Sequence, residues 1–314
     1  MISSFQIEDG QLVQCDINRA SILVYSRPEN DEKEQLLREF PLDPLDLEAI
    51  NDPDEIPRIE PIHDGLLIIW NWPDNVRNDD TIQFEVSTIG LLIWGGKAVA
   101  ILPRDQLPIG GREFKRMTSN EDFILRVLLY TVHQFQGHLK DIKMKSMDLE
   151  SKVIYSMENK YLLQMFALGE SLVYYHNAVE ANSTILSKLR GACKKLNLNE
   201  AHMDFLDDII IENQQAVKQA SIYSTVLSGL MDARGTIVNN NMNVLLKNLT
   251  VINIVFLPLT LIASVGGMSE FSMMTQGIDW RISYAAFMIA MIVLGLLTWL
   301  WVGKMIDRTQ KEKI

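Results

Sequence analysis

Two uncharged stretches near the end of the chain leave few folds open to it. Leu249–Met268 is mostly apolar, and Ile282–Val302 carries no charge at all. Each has the length needed to cross a bilayer as a helix. A short loop, Ser269–Arg281, joins them, so the two form a helical hairpin with both ends on one side of the membrane. The tail beyond carries Lys304, Arg308, Lys311 and Lys313, whereas the loop sets Glu270 and Asp279 against Arg281. The distribution of basic residues places the tail, and everything before residue 240, on the cytoplasmic side. Trp280 and Tyr284 at one interface and Trp299 and Trp301 at the other fit aromatic belts.

The first span is patterned. Asn239, Asn243, Leu246, Thr250, Asn253, Leu257, Thr260 and Ser264 recur at steps of three and four, which puts them in one stripe of a helix. Lipid satisfies no polar side chain, so the stripe needs water or a partner. One reading rings several copies around a pore, with Leu246 and Leu257 as apolar collars. The other makes Asn and Thr the glue between neighbouring helices. The spacing leaves both open. Pro258 removes a backbone hydrogen bond and can kink the span.

From Asn240 to Lys304 the sequence resembles the CorA family of divalent-cation channels. The matching residues are Asn243, Lys247, Leu249, Thr250, Phe256, Pro258-Leu259-Thr260, Ala263 and Gly267-Met268. Family members carry Gly-Met-Asn at the end of the first span, or Gly-Val-Asn in the zinc-transporting branch; here the triplet is Gly267, Met268, Ser269, and Gly266 stands where the family usually has Tyr. The resemblance implies an N-terminal cytoplasmic α/β domain, a long helical stalk and a C-terminal transmembrane hairpin, an α+β membrane protein assembled as a homopentamer in the inner membrane. It implies a pore lined by the first span, its selectivity entrance at Gly267–Ser269 and an acidic ring at Asp232 where the pore meets the cytoplasm. Mg2+ or Zn2+, or else Co2+ or Ni2+, is then substrate and regulator rather than cofactor, and the protein is not an enzyme. With Ser269 in place of Asn, the alternative is a non-conducting scaffold or signalling protein working through its cytoplasmic domain.

The chain has 314 residues and a net charge of −11. With a basic tail, the part before the spans is more acidic still, which disfavours nucleic acid; the spans make lipid an expected partner, and the resemblance implies self. Cys15 and Cys193 are far apart and show no metal-like spacing, as in a reducing compartment. Met1–Phe5 has no basic region or apolar core, so no signal peptide is expected and insertion relies on the C-terminal spans. The chain has no phosphate loop, dinucleotide fingerprint, His-Glu-x-x-His or nucleophile elbow. The histidines are scattered, and Met268, Met273 and Met274 are better explained by packing than by a soft-metal site.

Residues 1–117 read as α/β. Strands are expected over Leu12–Ile17, Ile22–Tyr25, Gly65–Trp72, Ile82–Trp94 and Ala98–Leu102, with a tight turn at Gly95-Gly96 and short helices over Glu29–Phe40 and Pro44–Ile50. The resemblance extends here through Phe40, Pro44-Leu45, Leu47-Glu48, Ile50, Pro57, Ile59 and Glu60. Asp43 replaces the family's His, and Ala49 replaces an Asp that in magnesium-gated relatives shares a regulatory cation with an acid on a neighbour's long helix. That second acid corresponds to Asp208, beside Asp207, and Glu48 is the substitute ligand at hand. The other reading of Asp207 and Asp208 is a solvated helix face.

Residues 118–248 read as a helical bundle and stalk: Phe123–Ile154, Asn159–Leu189 with its end signalled by Gly191 and Asn197, then a helix from Glu200 to Gly266 interrupted only by Gly229, Gly235 and Pro258. At 1.5 Å per residue such a helix runs roughly 100 Å and needs copies of itself for company. The expected divisions that follow are the first span 249–268, the loop 269–281, the second span 282–303 and the basic tail 304–314.

Overall fold

The computed structural model describes residues 1–62, 64–78, 81–103, 107, 111–155, 159–192 and 198–311. Readings that rest on His63, Cys193, Asn197 and Lys313 lie outside the described residues. The chain divides into two compact units, Met1–Asp232 and Ala233–Ile314.

The first unit is built on a seven-stranded sheet of order β2-β1-β3-β7-β6-β5-β4. Its strands are β1 (Ile2–Glu8), β2 (Gln11–Gln14), β3 (Ile22–Ser26), β4 (Arg58–Ile62), β5 (Gly65–Asn78), β6 (Thr81–Trp94) and β7 (Lys97–Leu102). All neighbours are antiparallel except β3 and β7. Between β3 and β7 runs the whole excursion through α1 (Asn30–Glu39), α2 (Pro44–Asn51) and the β4–β6 meander. Asp9 and Gly10 join β1 to β2, and Gly95 and Gly96 join β6 to β7; both pairs have positive φ, the geometry of a two-residue hairpin turn that follows the strand twist.

Period-two alternation sorts the central strands into two cores. Ile22, Val24, Ile68, Trp70, Leu91 and Ala100 face one side; Leu23, Tyr25, Leu67, Ile69, Leu92 and Ile101 face the other. The second face is covered by α1 and α2 through Leu36, Leu47, Ala49 and Ile50. The Ile50 side chain sits over Gly90 of β6, in the space an added Cβ would need. The first face is covered by residues of α3 (Asn120–Tyr155), α4 (Asn159–Ala192) and the start of α5 (Glu200–Gly266). A separate cluster around Phe135, Leu139, Met165, Tyr175, Ala216 and Leu227 binds these three helices to Phe84 on β6.

Three sequence expectations change. The strand expected to Ile17 stops at Gln14, because the amides of Arg19 and Ala20 return to the Asp16 carbonyl at 2.9 and 3.1 Å and wind Ile17–Arg19 into a 3-10 turn. The strands β1 and β4 go unannounced; β4 is an edge strand, and β1 lies between β2 and β3. Asp43, in place of the family's His, caps α2: its N–H donates to Asp46 Oδ2 at 2.8 Å within a capping box.

The second unit holds the end of α5, the six-residue α6 (Ser269–Met274) and α7 (Trp280–Lys311). α5 continues as helix through Pro258. Asp279 opens α7, its carboxylate accepting the Arg281 N–H at 3.0 Å.

Candidate functional site: a polar stripe on the first apolar helix

Among the described residues two helices, Glu200–Gly266 and Trp280–Lys304, contain windows long and apolar enough to cross a membrane, with mean hydropathies of 2.1 and 2.3. Within the second unit they pack antiparallel. The ring of Phe287 on α7 lies over Gly266 on α5, and Leu259 on α5 lies over Gly295 on α7. Val255 and Val302 are buried in the same unit.

This seam defines the back of the first span. Val251, Val255, Leu259 and Gly266 fall on one helical face, and the stripe from Asn239 to Ser264 falls on the other, roughly 170° away at 3.6 residues per turn. All eight stripe residues are exposed, the collar side chains Leu246 and Leu257 by 53% and 70%. Among the described residues, the stripe therefore has no partner within the hairpin. Asn253, Phe256, Leu257, Thr260, Leu261 and Ser264 line an open groove of about 500 Å³ along it.

The two threonine hydroxyls of the stripe have a fixed polarity. Thr250 Oγ1 donates to the Leu246 carbonyl at 2.7 Å, and Thr260 Oγ1 donates to the Phe256 carbonyl at 2.8 Å. Each proton is committed to the backbone, so the oxygens offer lone pairs. A helix face of lone pairs and amides suits a cation and its water shell.

At the end of α5 the Gly267 N–H donates to Ala263 and Ser264 carbonyls at 3.0 and 3.2 Å, and the Met268 N–H donates to Val265 at 3.1 Å. The triplet is thus tied to the last helical turn, and Ser269, exposed, opens α6. Asp232 is exposed at the end of the first unit, with open space beside Gly229 and Gly235.

The acids of the expected regulatory site sit on two helices, Glu48 on α2 and the neighbouring Asp207 and Asp208 on α5. Asp207 is held by Arg190 at 2.7 Å, Asp208 is exposed, and Glu48 lies in a surface groove with Lys33, Pro44 and Asp52. Ala49, only 6% exposed, faces the core beneath α2. Among the described residues no three His, Cys, Asp or Glu side chains gather to hold a metal. Gly266 marks a place where backbones can approach closely on sequence alone, but its partner Phe287 and the second seam glycine, Gly295, escape the sequence reading.

Together these features define a membrane protein: an N-terminal α/β domain, long helices and two C-terminal apolar helices, the first with an unpartnered polar face. The sequence matches CorA-like Mg2+ transporter proteins over residues 18–304, and the chain belongs to that family. It is 23% identical over 280 residues, 83% of its own length and 86% of the relative's, to the cobalt/magnesium transport protein CorA of Methanocaldococcus jannaschii. The fold matches the complete structure of the CorA magnesium transporter from that organism with a TM-score of 0.74 at 18% identity, covering 96% of both chains. The cytoplasmic domain of ZntB from Vibrio parahaemolyticus matches with a TM-score of 0.58 at 11% identity, covering 76% of this chain and 97% of that one.

Proposed function

We propose that several copies of this chain, five by family resemblance, surround a pore lined by the stripe of α5 and conduct a hydrated divalent cation across the inner membrane. The supporting observation is the placement of that stripe on the face opposite the α5–α7 seam, where no described residue of its own hairpin covers it. The soluble unit and both termini lie in the cytoplasm, as the basic residues Lys304, Arg308 and Lys311 favour.

In this reading Ser269, with Gly267 and Met268, forms the outer entrance. Ser264, Thr260, Asn253, Thr250, Asn243 and Asn239 hold the cation through its water shell, Leu257 and Leu246 are collars, and the carboxylate of Asp232 concentrates cations at the cytoplasmic exit. The oxygen and amide chemistry of the stripe, with no His or Cys anywhere in 233–314, suits hydrated Mg2+ better than Zn2+. With Glu48 on α2 and the Asp207–Asp208 pair on α5, any regulatory cation falls to a site shared between copies.

The test is a cysteine scan of the full chain in membranes, in a Cys15→Ser, Cys193→Ser background. A water-soluble thiol reagent modifies cysteines placed at Leu246, Asn253 and Thr260 and spares those at Val255 and Leu259. Protection of the stripe as complete as that of the seam would make the polar residues glue.

Two observations favour a second reading, a non-conducting scaffold: Ser269 in the entrance triplet and the buried Ala49 in the regulatory position. It predicts a stable protein partner for the cytoplasmic unit and no cation flux from the intact oligomer.

A further inference from the structure

The two glycine contacts of the α5–α7 seam are successive steps of one antiparallel register. Moving back along α5 from Gly266 to Leu259 corresponds to moving forward along α7 from Phe287 to Gly295. They differ in tolerance. A Cβ added to Gly295 would lie 3.4 Å from Leu259 Cδ1, close to ordinary contact with the end of a flexible side chain. A Cβ added to Gly266 would lie 2.5 Å from Cζ and 2.8 Å from Cε2 of Phe287, inside a planar ring that has two torsions with which to retreat. Gly266 is helical, without the positive φ that calls for glycine on backbone grounds, so its requirement is one of space.

Gly266 is also the last residue of α5, and the entrance triplet begins at the next residue. Gly267 and Met268 bond back to carbonyls of the final turn, from Ala263 to Val265. Little slack remains between the point where the Phe287 ring presses on α5 and the place where Ser269 leaves it. We propose that Phe287 is a positioning residue for the entrance: seated on Gly266, it sets the height and tilt of the last turn of α5 and hence where Ser269 stands at the pore mouth. This rests on the pore reading above, and it assigns to the second span a part in selecting the cation although its side chains do not line the stripe.

The test uses the full chain in liposomes loaded with a magnesium-sensitive dye. Gly266→Ala lowers the initial rate about tenfold, the order expected when one methyl is forced into a packed seam. Phe287→Leu keeps maximal flux within about twofold but raises the half-saturating Mg2+ concentration several-fold, the mark of a displaced entrance rather than a lost pore. The double variant Gly266→Ala, Phe287→Leu returns to the Phe287→Leu level because the shorter side chain clears the new methyl. Gly295→Ala, the seam control, stays within about twofold of wild type. A Gly266→Ala variant with wild-type flux, or a loss that Phe287→Leu does not relieve, overturns the proposal. So does a fall in maximal flux at constant half-saturation, which marks a seam that only holds the helices together. Should Gly266→Ala fail to assemble, the half-saturation of Phe287→Leu decides alone. Should wild type carry no Mg2+, the pore reading fails first, and positioning is read from Ser269→Cys in a Cys15→Ser, Cys193→Ser background. Its labelling rate by a membrane-impermeant maleimide then changes several-fold with Gly266→Ala and recovers with Phe287→Leu; an unchanged rate overturns the proposal.

Discussion

Asn182 holds both backbone groups of Asn71. Its Oδ1 accepts the Asn71 N–H at 3.1 Å, and its Nδ2 donates to the Asn71 carbonyl at 3.0 Å, all of it buried. The need arises from strand lengths. β4 pairs with β5 only as far as Arg58 opposite Ile69, while β5 runs on to Asn78. Past that point the outer edge of β5 has no strand beside it, and a buried edge must find other partners. A side-chain amide on α4 supplies the donor and acceptor a strand would have offered. Ser171, on the same helix, accepts the N–H of Phe84 at 3.4 Å on the partner strand β6. Asn182→Ala leaves both Asn71 groups buried and unmet, a cost of about 1–3 kcal/mol. A drop of several degrees in the thermal midpoint, with flux per assembled oligomer unchanged, is the expected result.

Acid weakens the first unit at His138. Its Nδ1 lies 2.8 Å from the Tyr175 hydroxyl, which donates to the Asp74 carbonyl at 3.1 Å, so the imidazole N–H donates to the tyrosine oxygen. Burial pushes the His138 pKa below its ordinary value, against the opposing pull of Asp141 and Asp74. The unfolded chain therefore takes up the proton first as pH falls. The stability tied to the neutral ring is present above about pH 6.5 and is lost as pH falls from there through the lower folded value. Denaturant midpoints measured between those limits fall with pH in the wild type and fall less steeply in His138→Phe, whose ring keeps the stack against Tyr175.

Position 49 resists the acid that a regulatory site would ask of it. Ala49 is buried in the apolar cluster that α2 forms with the sheet, among Leu47, Ile50, Leu67 and Ile69, where a carboxylate is costly to bury. Ala49→Asp costs about 2 kcal/mol or more in stability and confers no Mg2+ inhibition of flux. A stable variant whose flux becomes sensitive to cytoplasmic-side Mg2+ would show that α2 can re-seat and that the site is lost only by substitution.

The collar at Leu246 has a direct signature. Leu246→Ser replaces an apolar ring by hydroxyls, removing a barrier to water and ions, and raises cation flux about tenfold if dewetting at that level contributes about 1.4 kcal/mol. The measurement is the initial rate of dye response per oligomer in liposomes. An unchanged or lower rate in a folded oligomer takes the collar role from Leu246.

Much of this fold is legible in the sequence because its strongest signals are long. The apolar spans and the α5 run extend over many residues, the buried β3 and β7 stretches stand out as short, nearly unbroken apolar runs, and Gly95-Gly96 marks its turn by composition alone. The stripe of the first span is likewise a spacing. What is not legible depends on distant pairs. Nothing near Asn182 in sequence announces an unpaired strand edge at Asn71, and β1 and β4 become strands only because neighbours offer an edge. The stripe's orientation is the instructive case. Spacing puts its residues on one face, but only the Phe287–Gly266 and Leu259–Gly295 contacts show that the second span takes the opposite face.

The most direct test of conduction is cation flux into liposomes carrying the purified full chain, read with magnesium- and zinc-sensitive dyes beside a Ser269→Asn variant. A pore lined by the stripe predicts that wild type passes Mg2+, that the Mg2+ response exceeds the Zn2+ response, and that Ser269→Asn alters the rate or the preference without being required for conduction. Silence from both proteins in an intact oligomer would contradict it and leave the chain a scaffold.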